Sequence, residues 1–242
     1  MSRFTKGHEL HRSAWPTWIA ISLTLITLWP AAAKAAETSQ DLPRDDNQIW
    51  FDGQFTLPLN QNVDVDGSGG LRLGRGLDHR VFEHAGAAVS FKVLSFLSIA
   101  PSYNYVASQP IAAKDVREQR FAVDGTLTRR LFGFEISDRN RFERRVMPTI
   151  AYFRYMNRFL IEHPLEIERH RISLMISDEI FHDGALGIWS RNRFSVGFDK
   201  QVSKNISLEF YYLRQNDHYC YPGDIHAFGI NFISKSTRKH SR

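Results

Sequence analysis

From Asp46 onward, apolar and polar residues alternate one by one over segments of about ten residues or more, and this pattern constrains the fold more than any other feature. Successive side chains of a strand point to opposite faces, so period two specifies strands with one apolar face and argues against amphipathic helices. Ile49, Phe51, Gly53, Phe55 and Leu57 alternate with Trp50, Asp52, Gln54 and Thr56. Phe134 and Ile136 alternate with Glu135, Ser137, Arg139, Arg141 and Glu143, and Phe153, Tyr155 and Phe159 with Arg154, Met156 and Arg158. Ile172, Leu174, Ile176 and Ile180 alternate with Arg171, Ser173, Met175, Ser177 and Glu179. Phe194-Ser195-Val196-Gly197-Phe198, a Lys/Asn-containing turn, and Ser207-Leu208-Glu209-Phe210-Tyr211-Tyr212 make a hairpin.

The same reading along the chain predicts strands at 48–57, 66–77, 84–93, 97–107, 117–129, 132–145, 148–161, 167–181, 189–200, 206–216 and 225–233. Those are eleven segments. Bacterial single-chain membrane barrels have even strand numbers, so twelve are expected, with ten as the alternative.

Periodicity does not say which face meets solvent. In a soluble β protein the apolar side chains point inward, whereas in an outer-membrane barrel they meet lipid and the charges fall in the lumen. Three features favour the second arrangement. The segments run about 10–15 residues, against about 5–6 for globular strands and about 9–11 needed to cross a bilayer. Tyr103, Tyr105, Tyr152, Tyr155, Tyr211 and Tyr212 fall near strand ends, as an interfacial girdle requires. The polar faces are rich in Arg with Glu interspersed, which suits pairing in a confined interior. A mean hydropathy of -0.34 is compatible with strands that face lipid with alternate residues only. The expected fold is therefore all-β, an antiparallel transmembrane β-barrel of 10–12 strands.

The first 35 residues read as a cleaved export signal. Arg3, Lys6 and Arg12 precede an apolar stretch from Trp15 to Trp29, and Ala31-Ala32-Ala33-Lys34-Ala35-Ala36 supplies a small-residue cleavage site after Ala35. That stretch is shorter than the roughly 20 residues of a spanning helix. No cysteine lies nearby to take a lipid. Residues 36–46 are expected as a flexible N-terminal segment, 47–233 as the barrel and 234–242 as a basic tail.

The formal charge of +5 is carried by the ends. Residues 1–35 hold Arg3, Lys6, Arg12 and Lys34 against Glu9, and Lys235, Arg238, Lys239 and Arg242 close the chain. The rest is slightly acidic, which excludes a nucleic-acid surface. Cys220 is the single cysteine, so no intramolecular disulfide is possible, and the thiol reads as incidental.

Ile176-Ser177-Asp178-Glu179-Ile180-Phe181, then Asn192-Arg193-Phe194-Ser195-Val196-Gly197-Phe198, then Ser207-Leu208-Glu209-Phe210-Tyr211-Tyr212-Leu213-Arg214-Gln215, occur in that order. With Arg139-Asn140-Arg141-Phe142-Glu143-Arg144 and Ile49-Trp50 upstream, the set resembles the family catalogued as domain of unknown function 2490, from Asn47 to Phe232. The resemblance implies an exported outer-membrane barrel without an assigned activity. It also implies that Glu179, Arg193, Arg139 and Arg141 occupy recurrent charged positions. The tail beyond Phe232 departs from barrels that stop at a terminal aromatic.

If the apolar faces meet lipid, Arg139, Arg141, Glu143, Arg154, Arg158, Arg171, Glu179, Arg193 and Glu209 line the lumen. The leading expectation is a salt-bridged plug, because long side chains fill the little space that ten to twelve strands enclose. The alternative is a narrow channel or binding site for small anionic solutes, since Arg exceeds Glu on these faces and its planar fork suits carboxylate or phosphate.

Asp64-Val65-Asp66-Gly67-Ser68-Gly69 opens like a calcium loop, but the twelfth position holds Arg75 instead of a bidentate Glu, so it reads as an Asp/Gly turn. Gly-rich pieces such as Gly69-Gly70 lack the Lys and the helix of a phosphate loop; they read as places of close backbone approach. His163, His170, His182 and His226 lie near strand ends without a nucleophile at recognisable spacing. No cofactor, metal or catalytic residue is read. The expected partners are outer-membrane lipid and the barrel-assembly machinery, and the expected location is the outer membrane. A membrane-embedded lipid-modifying enzyme and a soluble periplasmic binding protein stand as further alternatives.

Overall fold

The computed structural model describes residues 44–112, 115–167 and 170–236. The expected export signal and most of the basic tail lie outside them. Each alternating segment forms a strand: β1 (Asp45–Pro58), β2 (Val63–Gly74), β3 (His79–Leu94), β4 (Leu97–Ser108), β5 (Val116–Leu131) and β6 (Phe134–Val146). They continue as β7 (Ala151–Ile167), β8 (His170–Asp183), β9 (Ile188–Gln201), β10 (Ile206–Asp217) and β11 (Asp224–Lys235). Each pairs with its chain neighbours, and β1 pairs with β11, so the sheet closes into a barrel.

The barrel has eleven strands, and the expectation of an even number is corrected. Strands joined by short turns alternate in direction, so the first and the eleventh run the same way. Closure is therefore parallel, from Asp45 opposite Asp224 to Thr56 opposite Lys235, while the other pairs are antiparallel. Closure leaves no free sheet edge.

The turns differ at the two ends. At the rim where β1 begins, residues 75–78, 109–115, 147–150, 184–187 and 218–223 connect strands; at the rim where β11 ends, 95–96 and 132–133 form two-residue turns. In the latter, Phe132 and Gly133 both take positive φ, the twist-compatible hairpin conformation. Asp64-Val65-Asp66-Gly67-Ser68-Gly69 is not a turn: it is extended in β2, with Asp64 and Asp66 buried inside.

The alternation resolves into an inside-out molecule. Phe51, Phe55, Leu71, Phe91, Ile99, Phe121, Val123, Phe142, Phe153, Leu174, Phe194, Val196, Phe198, Phe228 and Phe232 are exposed on the outer wall. Most of the fully buried side chains are polar or charged, among them Arg72, Glu118, Arg120, Arg139, Glu143 and Arg145. Packing the wall requires bare backbone at some positions. A Cβ on Gly70 would stand 2.0 Å from Asp52 Oδ1 and 2.7 Å from His84 Nε2, so glycine there lets that buried pair form.

Candidate functional site

The interior is a network of guanidinium–carboxylate pairs supported by aromatic rings. Strands β5 and β6 place Asp124 opposite Arg141, which donates from Nε and Nη2 to the two carboxylate oxygens at 2.6 and 2.7 Å. This fork-to-fork geometry is the strongest form of the pair. Arg139 lies 4.0 Å from Asp124 and donates to Glu179 Oε1 at 2.9 Å, and Glu179 Oε2 faces Arg193 Nη1 at 3.8 Å. Arg193 Nε then donates to Gln215 at 2.9 Å. One connected network thus crosses from β5 through β6, β8 and β9 to β10.

A second group lies toward the rim where β1 begins. Glu118 accepts from Arg120 at 2.6 Å and from Arg145, whose Nη1 also donates to the Tyr152 hydroxyl at 2.5 Å. Glu143 accepts from Arg154 at 2.6 Å, and Asp217 accepts from Arg191 Nε at 2.7 Å. Aromatic rings occupy the space between the cations. Arg72 stacks on Trp50 and Phe82 with its guanidinium carbon 3.5 and 4.2 Å from the ring centres. Phe181 is met by Arg154, Arg191 and Arg193 at 4.9–5.4 Å. Weakly hydrated guanidinium groups fit such sites better than ammonium groups do.

The opposite half of the lumen is acidic. Asp64 and Asp66 lie near the start of β2, Asp199 near the end of β9, Glu209 near the start of β10 and Glu162 toward the end of β7. Thr56 and Ser90 donate to Asp66 at 2.6 and 2.7 Å, Lys92 pairs with Asp64 at 3.5 Å, and Asn231 donates to Glu209. Arg158 sits between the halves, and its Nη1 is buried without a hydrogen-bond partner. It lines a cavity of about 20 Å³ with Glu179, Arg193, Glu209 and Tyr211. That is room for about one water. A larger cavity of about 290 Å³ opens at the acidic end, lined by Asn62, Lys92, Phe96, Ser98, Thr126 and Thr128.

Of the nine expected lumen residues, Arg139, Arg141, Glu143, Arg154, Arg158, Glu179, Arg193 and Glu209 are buried inside the barrel. Arg171 is the exception: it has the inward parity of β8 but is exposed, because it is the second residue of the strand and stands at the rim. Among the described residues, buried arginines exceed buried glutamates nine to five, but aspartates reverse the balance of charge. Among the described residues twelve carboxylates are buried against nine guanidiniums, because Asp52, Asp64, Asp66, Asp124, Asp183, Asp199 and Asp217 join the glutamates. Tyr152 and Tyr211 are buried and face inward, so they are no part of an interfacial girdle; Tyr103 and Tyr105 are exposed outside. His163 packs on Phe134, His182 on Trp189, and His226 hydrogen-bonds Tyr212 at 2.5 Å.

Sequence reading missed Arg72, Arg120, Arg145 and Arg191. The i, i+2 signal was available for three of them: Arg145 continues the row Arg139, Arg141, Glu143; Arg191 precedes Arg193; and Glu118 leads to Arg120. Cys220 closes the 218–223 turn, its N–H donating to Asp217 at 3.1 Å while Arg191 donates to its sulfur at 3.3 Å. Burial pushes this thiol up to about 12, which suppresses the nucleophilic thiolate. Among the described residues no group of three or more His, Cys, Asp or Glu side chains is arranged to hold a metal ion. The arrangement can bind charge to charge within the wall; it assembles no activated nucleophile around Cys220.

Comparison with solved structures finds LpxR from Salmonella typhimurium at TM-score 0.48 and 8% identity, covering 72% of this chain and 83% of that one. The siderophore receptor PirA from Pseudomonas aeruginosa is matched at TM-score 0.25 and 12% identity, over 73% of this chain and 35% of that one. No curated protein matches the chain. The model of one family, described as protein of unknown function (DUF2490), matches residues 47–220, and the chain belongs to that family.

Proposed function

We propose that this protein is an outer-membrane β-barrel whose lumen is a closed, ion-paired core, so that it acts as a structural or interaction barrel and not as an open conduit. The observation that carries the reading is the inversion of the wall, apolar side chains outside and paired charges inside. Strands of 12–17 residues exceed the roughly 9–11 needed to cross a bilayer at a tilt. A polar interior and an apolar outer band are what a lipid-facing barrel requires. The interior also disfavours passage. Buried charges held in bidentate pairs cost several kcal/mol to separate, and a solute that replaces one partner leaves the other unpaired. An anionic solute that passed the arginine-rich half would still face Asp64, Asp66, Asp199 and Glu209 in the acidic half, which repel it.

The test has two steps. Fractionation should place the protein in the outer membrane, and an unheated gel lane should differ from a boiled one. In planar bilayers the purified barrel should give no steady current. A steady current abolished by charge reversal at Arg154 or Arg158 overturns the closed core.

A further inference from the structure

One region breaks the apolar outer wall. On β6 the outward residues Asp138 and Asn140 lie between Ile136 and Phe142; on β7 Tyr155 and Asn157 lie between Phe153 and Phe159; on β8 Asp178 lies between Ile176 and Ile180. Asn140 is the seventh of the thirteen residues of β6 and Asp178 the ninth of the fourteen of β8, so the group sits at mid-strand and not at a rim. Asn157 donates to Asp138 at 2.5 Å and to Asn140 at 3.3 Å, Tyr155 donates to Asn140 at 2.5 Å, and Asn192 of β9 donates to Asp178 at 2.8 Å. These side chains are half-buried, and Asp178 is exposed.

In water such a group is an ordinary surface. At the middle of a lipid-facing wall it is not, because hydrocarbon offers neither donor nor acceptor, and ionisable residues at that depth normally face protein or water. The internal bonds leave capacity unused: one oxygen of Asp178 and the second amide N–H of Asn140 and of Asn192 point to no described partner. The patch therefore holds spare donors and spare acceptors side by side. A second copy turned by a two-fold axis presents the same set in the opposite order, so the spare amide N–H groups of one copy can be satisfied by the open Asp178 oxygen of the other. Phe142 and Phe153, each about two-thirds exposed, stand beside it and give the contact apolar area.

We infer that this barrel associates with a second copy of itself through the outer face of β6–β8, with the Asp138–Asn140–Asn157–Asp178 patch at the centre of the contact. The inference rests on the outer-membrane reading above.

The experiment places single cysteines in the full-length protein carrying Cys220→Ser and oxidises intact outer membranes. Ile176→Cys, outward on β8 beside Asp178 and outside the patch's hydrogen bonds, should give a band at twice the monomer mass on a non-reducing gel. Phe51→Cys, on β1 across the barrel, should not. Combining Asp178→Leu with Asn192→Leu should abolish the doubled species on sizing in mild detergent while the boiling shift, which reports a folded barrel, persists. A folded, membrane-inserted Ile176→Cys protein that stays monomeric overturns the self-contact and leaves the membrane reading intact. A cross-linked band of another mass overturns it in favour of a different partner. A protein that stays folded and dispersed without detergent overturns the membrane reading, and this inference with it.

Discussion

The ring of Tyr211 lies across the bare backbone of Gly229, its register partner on the next strand, so closely that a Cβ on Gly229 would stand 1.9 Å from Cζ. Gly197, the partner on the other side, is equally shielded, with the Tyr211 Cβ 2.7 Å from where its own Cβ would be. One large inward ring is thus seated between two strands that lack side chains at its level. Gly229→Ala cannot be accommodated by rotating a flexible chain end, because the ring is buried. It should lower stability by about 1–3 kcal/mol, the usual cost of overpacking. Urea unfolding in lipid vesicles checks this, and adding Tyr211→Ala should recover part of the loss. An unchanged midpoint for Gly229→Ala would show that the ring does not sit there.

The Asp124–Arg141 pair gives a second test. Truncating Arg141 to Ala leaves Asp124 buried, with Arg139 4.0 Å away as its remaining close cation. Breaking one side of a buried pair costs about 3–5 kcal/mol, whereas replacing both partners by apolar groups of similar size is often nearly neutral. Arg141→Ala should therefore shift the urea midpoint far more than Arg141→Met with Asp124→Leu. Equal shifts would mean that the pair acts by volume and not by charge.

Much of this architecture was legible because strand parity is local. Arg139, Arg141, Glu143, Arg154 and Glu179 follow from alternation alone, once one face is assigned to the lumen. What was not legible depends on closure. Nothing between Asp46 and Arg80 announces that β1 will meet β11 in parallel, so a rule of even numbers outweighed eleven visible segments. Asp64 to Gly69 combines turn-forming residues, yet strand β3 on one side and β1 on the other supply the backbone partners that hold it extended. Asp64, Asp66 and Asp199 carry no lumen signal in the sequence, because a carboxylate beside glycine or near a turn looks solvated until the sheet closes around it. The outer polar patch is marked in sequence only by Asp138 and Asn140 standing at the parity of Phe134, Ile136 and Phe142, and that interruption gains meaning only when closure brings Asn157, Asp178 and Asn192 beside it.

Cys220 should be inert in the folded protein. Its pKa is pushed up to about 12 by burial, so the thiol stays protonated well above neutral pH. At both pH 7 and pH 9 a maleimide or disulfide reagent should label it on the order of a thousand-fold more slowly than an ordinary cysteine of pKa about 8.5, because its thiolate fraction is smaller by about that factor. After unfolding, labelling should become fast and complete. Rapid labelling of the folded barrel at pH 9 would show that the 218–223 turn opens and that the rim is not sealed by the Arg191–Asp217–Cys220 contact.

Val196 on β9 separates the two environments that alternation leaves open. Its side chain is outward and 47% exposed, between Phe194 and Phe198 on the same face. In water, replacing an exposed valine by arginine normally changes stability by no more than about 0.5 kcal/mol. Facing hydrocarbon near mid-depth, an arginine costs about 2–4 kcal/mol, and the penalty falls to about 0–1 near the interface. Val196→Arg should therefore lower the urea midpoint in vesicles markedly, while Val202→Arg, in the turn that follows β9, should be nearly neutral. The depth dependence is the discriminating quantity: a soluble barrel would tolerate both substitutions equally, because its outer wall would have no depth.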